Sequence, residues 1–470
     1  MRTKLTLLAA VLFSQTVLAG GILTNTNQNI AFNRMMSREA SIGIDGVYSN
    51  PAGVAFLSDG FRLSLNIQSA FQTRTIENEY ALFANNINNP NTKHTFKGNA
   101  TAPIIPSFQM AYNKNKWSFQ LGFAITGGGG KCTFDNGLGS FEQAIAGLAY
   151  SGVFESIFGS KVRELMASGL TQEQATMALK NNPEAMAQMQ QAAFTNAKYS
   201  FDAYMKGRQY YFGLQLGAAY KFSEMFAGYV GLRVNYANNN YYGYVKDVTV
   251  AGQPTGMQIS LNCDQLGWGV TPIIGVDFRP NNHFNFSARY EFKTRMRLKN
   301  QSANEMPDVP AVKEALAKFD DGKKIADDIP ALLTIGAGYS PIEPLRINAG
   351  FHYFFDRQAT CYNEKNRLLS RGTIEWNAGV EYDINKKFTV SAGWQNTNYG
   401  MTPEYMDDKS FSVNSNSIGV GGVFHLNKTV DINLAYFTSL YGHMKTEIEG
   451  YKSDFTRTNH VIGVGVDLKF

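Results

Sequence analysis

The chain has 470 residues, 43 Lys+Arg against 38 Asp+Glu for a formal net charge of +5, and is 44% hydrophobic, 17% charged and 13% aromatic, with 44 Gly. Charge is low and aromatic and Gly usage high for soluble domains, and the composition excludes disorder and collagen. The positive excess is too mild and dispersed to argue for a nucleic-acid partner.

Arg2 and Lys4 precede the apolar run from Leu5 to Phe13, and Val17-Leu18-Ala19 follows. Residues 1–19 therefore read as a secretory signal peptide cut before Gly20. Its apolar core is about half the roughly 20 residues that a spanning helix needs. Residues 20–60 carry no strand pattern. They are rich in small and polar types, with Ser37-Arg38-Glu39-Ala40-Ser41-Ile42-Gly43 followed by Tyr48-Ser49-Asn50-Pro51-Ala52-Gly53. Attached before the first strand, such a segment suits a plug that folds back into a barrel lumen.

From residue 61 onward the signal has period two, the signature of strands with one apolar face. Ile462, Val464, Val466, Leu468 and Phe470 alternate with Gly463, Gly465, Asp467 and Lys469, and Ile374, Trp376, Ala378, Val380 and Tyr382 alternate with Glu375, Asn377, Gly379 and Glu381. The pattern predicts strands over 61–75, 101–113, 116–127, 205–221, 225–244, 264–280, 283–299, 331–340, 344–358, 373–384, 387–399, 415–427, 429–442 and 455–470. Tight turns near Asn115, Glu224, Asn282, Glu343, Lys386 and Lys428 alternate with long excursions, so all the short turns fall at one end. A soluble sandwich has no reason for that asymmetry, whereas outer-membrane barrels have short periplasmic turns, long extracellular loops, an apolar outside and a polar inside. The predicted fold is all-β, a 14-stranded antiparallel transmembrane barrel over 61–470 with an N-terminal hatch over 20–60. Terminal Phe470 fits an assembly signal for such a barrel.

The excursion over 127–204 changes period. Segments 141–158 and 162–166, and 175–179 behind the capping box Thr171–Gln174, read as helices carrying Phe154, Phe158 and Met166. A loop this apolar either binds a ligand or packs on its own small core. A second extracellular loop, over 300–330, holds a helix through Val312 to Phe319. Outward aromatics such as Tyr210, Phe212 and Tyr242 fit an interfacial girdle.

Strand parity assigns Arg62, Asn66, Gln68, Gln120, Gln209, Gln215, Arg233, Asn235, Asp277, Arg289, Glu291, Arg346, His352, Asp356, Glu375, Glu381 and His425 to the lumen. Either these form a salt-bridged filling, or one or two of Arg233, Arg289 and Arg346 clamp an anionic head group. Three cysteines, Cys132, Cys263 and Cys361, permit one disulfide and one leftover thiol, and lack metal-site spacing. Ser287, Ser391, Ser417, His352 and His425 could place a serine beside a histidine in the lumen, and His443 lies by an extracellular strand end, yet no GxSxG, HExxH or phosphate-loop motif occurs. The chain is read as not an enzyme, with no cofactor and no metal.

The triplet Asn50-Pro51-Ala52, closing an N-terminal arm just before the first of fourteen strands, resembles the FadL/TodX family of outer-membrane transporters for long-chain fatty acids and other hydrophobic compounds. The resemblance implies a hatch held by Asn50, Pro51 and Ala52, with Asn50 bonding strand three. It also implies an apolar groove among extracellular helices, a deeper pocket, and lateral exit at a kink in strand three, where Gly122 and Gly127 supply the bend. The implied partners are a fatty acid or aromatic hydrocarbon and outer-membrane lipid, for a monomer in the outer membrane. A surface adhesin binding a host or phage partner through its loops is the alternative, and a lumenal lipid-modifying enzyme a third.

Overall fold

A computed structural model describes residues 22–308 and 310–470; the expected signal peptide lies outside the described residues. One antiparallel sheet runs through β1 (Gly60–Glu79), β2 (Lys93–Lys114), β3 (Trp117–Phe134), β4 (Tyr199–Lys221), β5 (Phe226–Val250), β6 (Ile259–Phe278) and β7 (Phe284–Glu291, resumed at Arg297–Ser302). It continues through β8 (Lys324–Ala326, resumed at Leu332–Ile342), β9 (Leu345–Phe354), β10 (Ile374–Asn385), β11 (Phe388–Asn398), β12 (Ser415–His425), β13 (Val430–Tyr441) and β14 (Tyr451–Lys469). β14 closes on β1, with Arg62 opposite Lys469 and Glu79 opposite Lys452. Two short strands, Gln253–Pro254 and Met444–Ile448, only extend outer hairpins. The result is a closed barrel of 14 strands, as the period-two count predicts.

The staves are uneven: β1–β6 and β14 have 18 to 25 residues, whereas β9–β13 have 10 to 12. The sequence pattern underestimates the long ones. β3 continues through Gly127 to Phe134 and β4 starts at Tyr199, so the large excursion is 135–198. β9 stops at Phe354, and Asp356 sits in a 3-10 turn rather than on a strand.

Alternation sorts side chains between two surroundings. On β14, Ile462 and Val464 are 57% and 43% exposed on the outer wall while Gly463 and Gly465 face inward; on β10, Trp376 is out, Glu375 and Glu381 buried. Tyr211 and Tyr241, within the aromatic clusters, point into the lumen, while Tyr236, Tyr242 and Trp268 stay on the outer wall. Such an apolar outside with a polar, buried inside is stable only against lipid.

The interior is filled by residues 22–59, almost all buried. Two short helices, α1 (Ile30–Met35) and α2 (Gly46–Ser49), lie against the wall. Asn29 caps α1 by accepting from Ala31 N at 2.7 Å. β10 and β11 present Gly379 and Gly393 where α1 ends, and a Cβ at either would collide with the Met35 carbonyl oxygen. Close backbone approach is therefore what these two glycines allow.

Above the barrel, helices α3 (Gly139–Ala167), α4 (Gln172–Lys180) and α5 (Pro183–Asn196) form a cap. One 29-residue helix runs where two pieces, 141–158 and 162–166, are expected. The Thr171–Gln174 capping box is present. The second outer loop carries α6 (Pro310–Leu316). All three cysteines are free thiols, so the permitted disulfide does not form.

Candidate functional site

Strand β2 contains Pro103 and Pro106, and proline has no N–H to give a ladder. Its neighbour β3 carries Gly127, Gly128 and Gly130, with φ of +88° at Gly128 and +75° at Gly130. The two defects face each other. β2 and β3 pair from Lys114↔Trp117 to Phe108↔Phe123, then again only at Ala100↔Cys132 and Asn99↔Thr133. Residues 101–107 and 124–131 thus form an unpaired seam in the wall about 25 Å long at ~3.3 Å per residue, its edges still touching at Ala102 and Gly130. On its other edge β3 slips register against β4 around Gly127–Gly130, which bends the strand.

Part of the freed edge is served from inside: Asn25 N donates to Thr126 O at 2.9 Å and Gly128 N to Leu23 O at 3.1 Å. Backbone groups at membrane depth need partners, and the N-terminal segment supplies them. Behind the seam lies a cavity that opens at its mouth. Phe32, Met36, Ala70, Ala102, Phe437 and Val461 make its apolar side, which reaches the unpaired seam at Ile105, Ile125 and Tyr210. Gln72, Asn459, Ser439, Tyr399 and Tyr441 make a polar side toward the extracellular end.

The N-terminal segment is tied to the wall at several points. Glu39 accepts from His352 Nε2 at 2.8 Å, Asn377 Nδ2 at 3.0 Å, Arg38 N at 2.9 Å and Ser37 Oγ at 3.1 Å. The other His352 nitrogen lies 2.7 Å from Glu375, which also takes bonds of 2.9 Å from Gln395 and Thr397. Arg34 is ion-paired with Glu381 and donates to Ser391 at 2.9 Å. Arg38 holds Asp45 at 2.8 and 3.0 Å.

The Asn50-Pro51-Ala52 triplet is buried against the wall, with one change of partner. Asn50 Nδ2 donates to Asp277 of β6 at 2.6 Å, not to strand three. Strand three is reached instead through Gln120, whose Nε2 donates to the Pro51 carbonyl at 2.7 Å. Asn50 Oδ1 meanwhile accepts from Gly53 N, so its amide is committed locally. Ala52 packs with Ala219, Ala227 and Ile273.

Of the two proposed gate glycines, Gly127 lies in the unpaired seam and bridges to Thr24. Gly122 does not; it sits in the regular ladder opposite Gln109 and gives room to Val47 of α2. The arginines are engaged. Arg233 grips Glu291 at 2.6 and 3.2 Å, and Arg289 shares that carboxylate at 3.3 Å while its guanidinium lies 4.4 Å from the Tyr48 ring centre. Arg346 is held by Glu381 at 2.6 Å and by Asp383 at 2.5 and 2.7 Å. None of the three lines the cavity behind the seam. Phe154 and Phe158 stack at 6.1 Å within the cap's own small core with Val162, Ala175, Leu179 and Met189, and Met166 is 41% exposed. Ser287 donates to Glu39 O and Ser417 pairs with Ser439, while His425 bonds Asp431 and Thr389, and His443 bonds Asp454. The prolines of β2 were the overlooked signal: two in one predicted strand mark a broken ladder.

An internally filled 14-strand barrel with an interrupted β2–β3 seam is the class of structure these features define. No protein-family model and no curated protein matches the chain. Solved structures do. A Pseudomonas aeruginosa FadL homologue matches at TM-score 0.66 with 12% identity over 96% of this chain and 100% of that one. The P. putida toluene transporter TodX matches at 0.54 with 12% identity over 91% and 94%, and the Ralstonia pickettii toluene transporter TbuX at 0.51 with 13% over 91% and 94%. At such identities the likeness establishes that the chain has this fold.

Proposed function

We propose that the chain is an outer-membrane transporter that passes hydrophobic compounds, long-chain fatty acids or aromatic hydrocarbons, from outside into the bilayer through the side of its barrel. The observation that carries this reading is the cavity running from the buried polar interior to Ile105 and Ile125 at an unpaired stretch of wall. Each methylene kept from water is worth about 0.8 kcal/mol, so an apolar solute needs an apolar path, and a sideways exit delivers it to lipid without an energy source. Residues 22–59 act as the hatch, with Asn50-Pro51-Ala52 seating its final turn. The fold neighbours described as toluene transporters support the class of cargo.

The test is uptake of radiolabelled oleate and of toluene by cells lacking their own transporters, with and without this chain in the outer membrane. Accumulation of either above the empty control is expected. Equal accumulation with correctly assembled protein would leave the adhesin alternative standing.

A further inference from the structure

Strands β3 and β4 run on past the lipid-facing part of the wall, and there their outward side chains change character. At the short-turn end of the barrel Tyr220 packs on Trp117, with ring centres 4.7 Å apart. Tyr210 and Phe212, 5.8 Å apart on the same face of β4, form the upper aromatic level. Arg208, one outward step beyond Tyr210, stands roughly 30 Å above Tyr220 at ~3.3 Å per residue and a tilt of about 40°. That is the height at which hydrocarbon gives way to head groups. Directly opposite Arg208 on β3 is Lys131, and Lys206 is the next outward residue of β4.

Like charges directly across a strand pair repel. No carboxylate answers these three. β3 contains none, and the outward carboxylates of β4 and β6 are engaged, Asp202 with Lys246 of β5 at 3.3 Å and Asp264 with Asn240 Nδ2 at 2.9 Å. Among the described residues Lys131, Lys206 and Arg208 have no ion pair; Arg208 gives Nη2 to Asn238 Oδ1 at 2.7 Å, while its Nε has no hydrogen-bond partner. We propose that Lys131, Lys206 and Arg208 dock a phosphate of an outer-leaflet glycolipid whose acyl chains lie down the wall over Tyr210, Phe212 and Leu214. Two ammonium groups and a planar guanidinium suit a multiply charged phosphate, and an anion seated between them turns the cross-strand repulsion into attraction. Such a site is independent of the cargo, since it lies on the outer wall and not in the lumen.

The test compares a synthetic acylated diglucosamine lipid carrying two phosphates with the same lipid carrying none. Both are presented in dodecyl maltoside micelles to the purified full chain, and bound lipid is read by native mass spectrometry. The wild type is expected to hold the phosphorylated lipid at least ~10-fold more tightly, from charge-assisted hydrogen bonds to its phosphate. In the Lys131→Gln, Arg208→Gln double variant that ratio is expected to fall to about unity. Lys246→Gln, which removes an outward ammonium already paired with Asp202, should leave it unchanged. If the double variant does not assemble, Lys206→Gln reads the same ratio, with an expected drop of at least ~3-fold. Inorganic phosphate at about 10 mM should not release the lipid; release would mark a site for soluble anions and overturn the lipid as occupant. A wild-type ratio near one, a ratio that survives the Gln variants, or an equal loss in Lys246→Gln overturns the site.

Discussion

Replacing His352 by Ala tests what keeps the N-terminal segment in the lumen. The imidazole is the bridge between Glu39 on that segment and Glu375 on β10, at 2.8 and 2.7 Å, with all three side chains buried. Without it two buried carboxylates face each other across an empty site. Glu375 keeps Gln395 and Thr397, and Glu39 keeps Asn377, but neither keeps its charge-bearing partner. Removing one member of a buried charged set costs about 3–5 kcal/mol, which raises the chance of local release of the segment roughly a thousandfold. Hydrogen exchange reads this directly at Met36, Ser41 and Asn50, whose amides bond to Phe32, Arg38 and Gly46 within the segment. Their protection is expected to fall by about that factor while strand amides of β10 hold, since the wall's own ladder is untouched. Unchanged protection at those three amides in an assembled barrel would refute the latch.

Three further expectations follow from the geometry. A cysteine pair at Ala102 and Gly130, with Cys132→Ala to remove the nearby thiol, should form a disulfide, because a Cβ at 130 lies 3.5 Å from that of Ala102; oxidation should lower uptake of a hydrophobic probe at least ~10-fold and reductant should restore it. A fully cross-linked barrel that transports normally would place the exit elsewhere. Asn50→Ala should loosen the seat on Asp277 and raise exchange at Gly53 N by about 1–3 kcal/mol of lost hydrogen bonding, with heat-modifiable gel mobility of the barrel unchanged. Asp356, in the outer turn, is pushed up to about 6 by burial, against bonds from Thr373 and the Ile22 backbone that favour its charge. Its folded value stands above the unfolded one near 4, so the associated stability is whole below about 4 and lost as pH rises through about 6. The turn's protection, corrected for intrinsic exchange, should therefore be greater at pH 5 than at pH 8 by about 1.4 kcal/mol, and Asp356→Asn should abolish the difference.

The fold was legible because two solvents, lipid outside and a packed polar lumen inside, enforce the alternation that Ile462 and Gly463 or Trp376 and Glu375 display. Strand ends were less so: above the bilayer β3 and β4 keep their ladder through residues such as Lys131 and Lys206 that no longer face lipid. Partner choice was illegible. Asn50 bonds Asp277 of β6 because of the path the segment takes through the lumen before reaching β1, and no local pattern records that path. Parity marks Arg233 and Arg74 alike as inward; only register, which brings Arg457 beside Arg74 and Glu291 beside Arg233, tells a guanidinium that meets a carboxylate from one that meets another arginine.

The unequal staves have a mechanical consequence. A 25-residue strand such as β5 at a tilt of about 40° stands roughly 60 Å tall, twice the ~30 Å hydrocarbon thickness, whereas the 10-residue β9 stands roughly 25 Å, a little short of it. The rim is therefore slanted like a cut quill. Its high side carries the helical cap, and the interrupted β2–β3 seam lies on that same flank, so cap and seam share one generator of the cylinder while the short strands stand opposite.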